Sequence, residues 1–209
     1  MRILLLSILI GCNLLAKAQL PIPVPMAQQP ALTYLETFDS ILTWSNDFVS
    51  GQGAERYTSV PIGGVAAIPD AIRITTSSAS FVTAQMSGGG LYKDTVNGRI
   101  LLLVTGTSNN TNSLAFDLHL DFTGKLAGNL SFDWATIFNG TPSSNRAGTL
   151  KVYASTNGAT FTELTTAAIT ITNNIAANGT VSNIQLPSSF DNSATARLRF
   201  YYYNSAGGS

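Results

Sequence analysis

Between residues 114 and 122 large apolar side chains alternate with small or polar ones without a break. Leu114, Phe116, Leu118, Leu120 and Phe122 fall on one face of an extended chain, and Ala115, Asp117, His119 and Asp121 on the other. A two-residue period of this kind marks a strand with one face in a core. After a turn at Thr123, Gly124 and Lys125 the period resumes through Leu130, Phe132, Trp134 and Phe138. Residues 100–104 are apolar throughout, which predicts a strand over 99–105 buried on both faces. Strands are also predicted at 71–76, 149–155, 160–164, 168–172, 181–186 and 196–203. Thr156, Asn157, Gly158 and Ala159 separate two of these, and Asn-Gly accepts positive φ at both central turn positions, so 149–164 reads as a hairpin. No stretch carries a convincing 3.6-residue period. The fold class predicted is all-β, a two-sheet antiparallel β-sandwich of jelly-roll type. Pairing between distant strands predicts slow folding.

The ends of the chain carry different signals. Arg2, an apolar run over 3–10 broken only by Ser7, and the small-x-small triplet Ala16, Lys17, Ala18 predict a signal peptide over 1–18, cut before Gln19. The run is shorter than the roughly 20 apolar residues a bilayer span requires. A competing lipoprotein box at Leu9, Ile10, Gly11 and Cys12 places the cut early and leaves the apolar start Asn13, Leu14, Leu15, which favours cleavage after Ala18. That cleavage removes Cys12, the one cysteine, so the mature protein has no disulfide. Pro21, Pro23, Pro25 and Pro30 predict an extended linker over 19–31, with the sandwich occupying 32–209. The strong strand at 196–203 runs into a turn at 204–209. This predicts a piece of a longer protein, short of at least one C-terminal strand.

Charged residues make up only 11% of the chain and apolar ones 44%, which excludes disorder driven by charge. Ser, Thr, Asn and Gly supply the polarity and suit strand faces and turns. With Arg2 and Lys17 removed a small acidic excess remains, so neither nucleic acid nor an anionic membrane is implied as partner.

Candidate chemistry is sparse. His119 is the single histidine, and it shares a strand face with Asp117 and Asp121. The cluster suits a metal or acid–base pair, but the solvated face of an amphipathic strand explains all three and is the favoured reading. Glu36, Asp39, Asp133, Glu163 and Asp191 are the acids from which a glycosidase pair would be drawn, and spacing brings no two of them together. No catalytic residue is assigned. Gly88, Gly89 and Gly90 lack the Lys and Ser/Thr of a phosphate loop. Asn109, Asn129, Asn139 and Asn178 each precede Ser or Thr by two residues, a weak glycosylation signal. Arg197, Arg199, Tyr201 and Tyr203 share one strand face, opposite Leu198, Phe200 and Tyr202. Two forked donors and two phenol rings in line suit a sugar or a carboxylate-bearing polymer. The alternative is ordinary cross-strand packing.

Tyr153, Ser155, Asn157, Gly158, Phe161 and Leu164 form a strand ending in Ser, an Asn-Gly turn and an aromatic. This element resembles one that recurs in cleaved-adhesin and MAM-like (choice-of-anchor J type) jelly rolls of secreted Bacteroidetes-type surface proteins. Glu36, Phe38, Asp39 and Trp44 are similar to the opening strand of such modules, and Ile184, Leu186 and Pro187 with the Arg-aromatic strand extend the likeness. The Ser-x-Asn-Gly element also resembles the Asp-box of sialidase propellers, but one copy does not make a propeller. The resemblance implies a secreted or cell-surface, non-enzymatic adhesion module within a multidomain protein, recognising an extracellular glycan or surface protein. A second expectation is the accessory domain of a secreted hydrolase whose catalytic domain lies beyond residue 209. No cofactor is implied apart from calcium, which some such modules hold with acids of the first and last strands; Glu36 and Asp39 are the corresponding positions.

Overall fold

The structure, a computed structural model, describes residues 22–39, 57–60, 79–80, 90–94, 96–103, 113–137, 148–171 and 176–204. The signal at 1–18, the strand at 71–76, Trp44, Phe138, Asn109, Asn139 and the turn at 205–209 lie outside the described residues. In chain order the strands are β1 (Val24–Pro25), β2 (Tyr57–Val60), β3 (Ala79–Ser80), β4 (Gly90–Asp94), β5 (Arg99–Leu103) and β6 (Ser113–Asp121). They continue with β7 (Asn129–Ala135), β8 (Gly148–Ser155), β9 (Thr162–Glu163), β10 (Ile169–Ile171), β11 (Asn178–Gln185) and β12 (Ala196–Asn204). Only short 3-10 turns join them among the described residues, and no helix there is long and apolar enough to cross a membrane.

The chain is an all-β sandwich, as the alternation predicts. Its main sheet runs β1–β6–β12–β8–β10, with β2 also on β6 and β9 also on β8. The facing layer consists of β7–β11 and β3–β4–β5. Even-numbered side chains of the main sheet, Phe116, Leu118, Leu120, Val152, Ala154, Leu198 and Phe200, are buried between the layers. Ile100 and Leu102 of β5, Leu130 and Phe132 of β7 and Val181 and Ile184 of β11 meet them from the other side. Phe116 stacks on Phe200 at 4.9 Å, and Phe132 meets Phe200 edge-on at 5.4 Å. Such geometry is worth about 0.5–1.5 kcal/mol per pair beyond the area buried. The turn at Thr123 and Gly124 therefore carries the chain from one layer to the other, and β6 and β7 do not pair.

Two expectations, the linker and the fully buried strand at 99–105, need correction. Residues 19–31 are not merely a linker, because Val24 and Pro25 pair in parallel with Leu120 and Asp121, and Val24 is completely buried in the core. Proline tolerates that position because an edge strand has a side on which no N–H is needed. Pairing is not wholly antiparallel, since β3 also joins β4 in parallel. The strand at 99–105 is half-buried along Arg99–Leu103, because β5 has a hydrogen-bonded neighbour on one side only among the described residues. Strand β12 is hydrogen-bonded along both edges, with Leu198 opposite Leu118 on one side and Ala154 on the other.

The predicted hairpin forms, with Tyr153 opposite Glu163 and Ala154 opposite Thr162. Its connection is longer than a two-residue turn and is held by side chains. The Ser155 hydroxyl oxygen accepts from the N–H groups of Asn157 and Gly158 at 3.3 and 2.9 Å. Asn157 Oδ1 accepts from those of Ala159 and Thr160, each at 2.8 Å. Gly158 has φ +69°, the left-handed region, and a Cβ there would overlap the Arg197 guanidinium.

Candidate functional site

Odd-numbered residues of β6, β12 and β8 share the main-sheet face turned away from the core. Register sets them in rows: His119, Arg197 and Ser155; then Asp117, Arg199 and Tyr153; then Ala115, Tyr201 and Lys151. Tyr203 follows, opposite Thr149.

Arg197, Arg199, Tyr201 and Tyr203 do lie on one face, as extended geometry requires, but they do not form an open stripe. Arg199 is buried and Tyr201 completely so, while Arg197 and Tyr203 keep partial exposure. Those two lie six residues apart, roughly 20 Å along a strand. The physical reason is that the middle of the face forms a second small core. Tyr153 meets Tyr201 edge-on at 6.0 Å, and Tyr203 tilts onto Tyr201 at 5.7 Å. Phe161, from the connection after β8, lies on Arg199 with its ring centroid 3.6 Å from Cζ.

The Asp117, His119 and Asp121 face is likewise not a solvated one. Arg199 Nε and Nη2 donate to the two carboxylate oxygens of Asp117 at 2.7 and 3.0 Å, and the pair is buried. Burial pushes the Asp117 carboxyl up, and Arg199 pulls it back. His119 is buried as well, and burial, with the charges of Arg197 and Arg199, pushes it down to about 4. Asp121 is turned to its own loop, accepting the Thr123 N–H at 2.8 Å. Among the described residues no three His, Cys, Asp or Glu side chains converge as metal ligands would.

Lys151 Nζ donates to Glu163 Oε2 at 2.9 Å, and the two side chains are 25% and 26% exposed. The Tyr153 hydroxyl lies 3.5 Å from the same oxygen, and burial together with Glu163 pushes its phenol up, so it remains a donor. Lys151 is diagonal to Tyr203 across the β8–β12 ladder, a separation of about 7–8 Å. A partly buried Tyr203, backed by the buried ring of Tyr201, thus stands beside a part-exposed ion pair.

The other acids hold local structure. Glu36 accepts from the Tyr34 hydroxyl at 2.6 Å and the Phe38 N–H at 2.9 Å, and Asp39 from the Thr37 hydroxyl at 2.7 Å. Asp133 accepts from the Thr180 hydroxyl at 2.6 Å and Asp191 from the Ala127 N–H at 2.8 Å. Asn129 and Asn178 begin β7 and β11 and are exposed.

Lys151, Tyr153, Phe161 and Glu163 had no place among the candidate binding residues. The signal for them was present, since Lys151, Tyr153 and Ser155 alternate with Leu150, Val152 and Ala154 as the Arg and Tyr residues of β12 alternate with theirs. The hairpin then sets Glu163 beside them.

No family model matches the chain, and no curated protein does. A solved structure of the C-terminal family 22 carbohydrate binding module of Clostridium thermocellum Xyn10B is similar at 11% identity, covering 79% of this chain and 92% of that one, with a TM-score of 0.27. A likeness this slight carries no weight for fold or ligand, which rest on the strands and side chains described above.

Proposed function

We propose that this chain is a non-catalytic binding module of an exported protein and that it recognises carbohydrate around Tyr203, Lys151 and Glu163. The observation that carries the reading is the partly buried Tyr203 ring, backed by buried Tyr201 and next to a part-exposed Lys–Glu pair. A pyranose offers an apolar C–H face and a rim of hydroxyls. A phenol ring takes the first, and an adjacent donor and acceptor take the second. Because buried neighbours fix the ring and the pair, little side-chain freedom is left to lose on binding. The engagement of Glu36, Asp39, Asp133, Glu163 and Asp191 in hydrogen bonds of their own supports a non-catalytic role. Arg2, the apolar run and Ala18 support export by a cleaved signal. The adhesin-like hairpin supports a place in a larger secreted or surface protein.

Affinity electrophoresis through gels containing polysaccharides tests the reading. Wild-type protein should be retarded, and Tyr203→Ala should weaken binding by about 1–3 kcal/mol, the range for an aromatic contact residue. Its melting temperature should fall far less than that of Tyr201→Ala. Retardation unchanged in Tyr203→Ala would refute the placement of the site.

A further inference from the structure

Resting on that reading of the face, we infer that the saccharide it takes is neutral, without carboxylate or sulfate groups. Among the described residues the charges nearest Tyr203 are already matched. Lys151 has Glu163 at 2.9 Å, and Arg199 has Asp117 in a two-pronged buried pair. Arg197, the remaining cation of this face among the described residues, lies roughly 20 Å from Tyr203 along β12 and is wedged against Gly158.

A carboxylate arriving at Lys151 would meet Glu163 within the same few ångströms. Like charges at that separation repel, so an anionic sugar must displace Glu163 before it gains anything. A neutral sugar faces no such competition. Lys151 carries three donors and spends one on Glu163, leaving others for a hydroxyl oxygen, while the Glu163 carboxylate retains lone pairs for the neighbouring hydroxyl proton. The 2.9 Å between Nζ and Oε2 is similar to the spacing of adjacent hydroxyl oxygens on a pyranose, so one ion pair can engage a vicinal diol. Because no net charge is neutralised, such binding depends little on salt.

Isothermal titration calorimetry of the full chain decides the matter with two sets of soluble probes. One set comprises neutral glucan, mannan, galactan and xylan oligosaccharides, and the other oligogalacturonate and a sulfated galactan oligosaccharide. Each is measured at low and high salt, about 20 and about 500 mM NaCl. The expected result is binding of a neutral probe that changes less than about twofold with salt, with anionic probes at least about tenfold weaker. Glu163→Gln frees Lys151 from its counter-charge, and it should weaken neutral binding and strengthen oligogalacturonate binding, each by about fivefold or more. Tighter binding of an anionic probe to wild type, falling as salt rises, would overturn the neutral assignment and leave the glycan reading standing. Neutral binding unchanged in a folded Glu163→Gln protein would also overturn the assignment to this pair. Binding of neither set would overturn the glycan reading itself.

Discussion

Replacing Asp117 with Asn keeps the shape of the side chain but removes the negative charge facing Arg199. The two side chains are 1% and 7% exposed, joined at 2.7 and 3.0 Å, with Phe161 over the guanidinium. At an effective dielectric constant of about 20, opposite charges some 4 Å apart attract by about 4 kcal/mol. Removing one member of a buried pair costs about 3–5 kcal/mol, because the other charge stays buried and unmatched. Asp117→Asn should therefore lose about 3–4 kcal/mol in urea unfolding followed by tryptophan fluorescence.

Arg199→Met should lose a comparable amount at pH 8, and its loss should shrink as the pH falls. Without Arg199 only the more distant charge of Arg197 offsets the burial that raises the Asp117 carboxyl. A carboxyl whose folded pKa exceeds its unfolded value near 3.9 favours folding when protonated, so stability is regained at low pH and lost as pH rises towards the folded pKa. The double variant Asp117→Leu with Arg199→Met carries no buried charge at these two positions and should fall within about 1–2 kcal/mol of wild type, because paired charges and matched apolar groups are nearly equivalent in a core. Single losses below about 1 kcal/mol, or a double loss equal to their sum, would show that the pair is not coupled and would refute the reasoning.

His119 has its pKa pushed down to about 4 from an ordinary value near 6.5. In that window the unfolded chain binds more protons, so stability should fall by on the order of 3 kcal/mol as pH drops from 7 towards 4, measured as unfolding free energy; His119→Gln should remove most of that slope. Tyr201→Ala should cost about 3–5 kcal/mol in the same unfolding assay because the ring is completely buried, and a loss under about 1 kcal/mol would place the ring in solvent.

The strands whose two faces differ were legible in the sequence. Phe116, Leu118 and Leu120 declare their face by alternation alone, as do Val152 with Ala154 and Leu198 with Phe200. What alternation does not encode is whether the opposite face is wet. Asp117 and Arg199 are 82 residues apart, so each reads as a lone surface charge until register brings them together. Tyr201 reads as an exposed ring for the same reason, since the Tyr153 it packs against arrives from another strand. Prolines at nearly alternate positions conceal that Val24 is a core residue. Strand β2 carries no large apolar alternation over Tyr57–Val60, and its place on β6 follows from pairing alone. Of the proposed site, the aromatic strand gives Tyr203 by its pattern, whereas Lys151 and Glu163 join it only through the hairpin's register.

Strand β12 has a consequence for the order in which the main sheet can form. It sits between β6 and β8, yet it follows both in the chain, and it is what joins them into one sheet. Until residues 196–204 arrive, β6 and β8 are two separate pieces, each with an open edge and half a core. A chain synthesised N-terminus first therefore cannot close its main sheet until those residues are free to pair. Closure of the described main sheet waits on the strand that comes latest in it, whichever of the other strands has formed first.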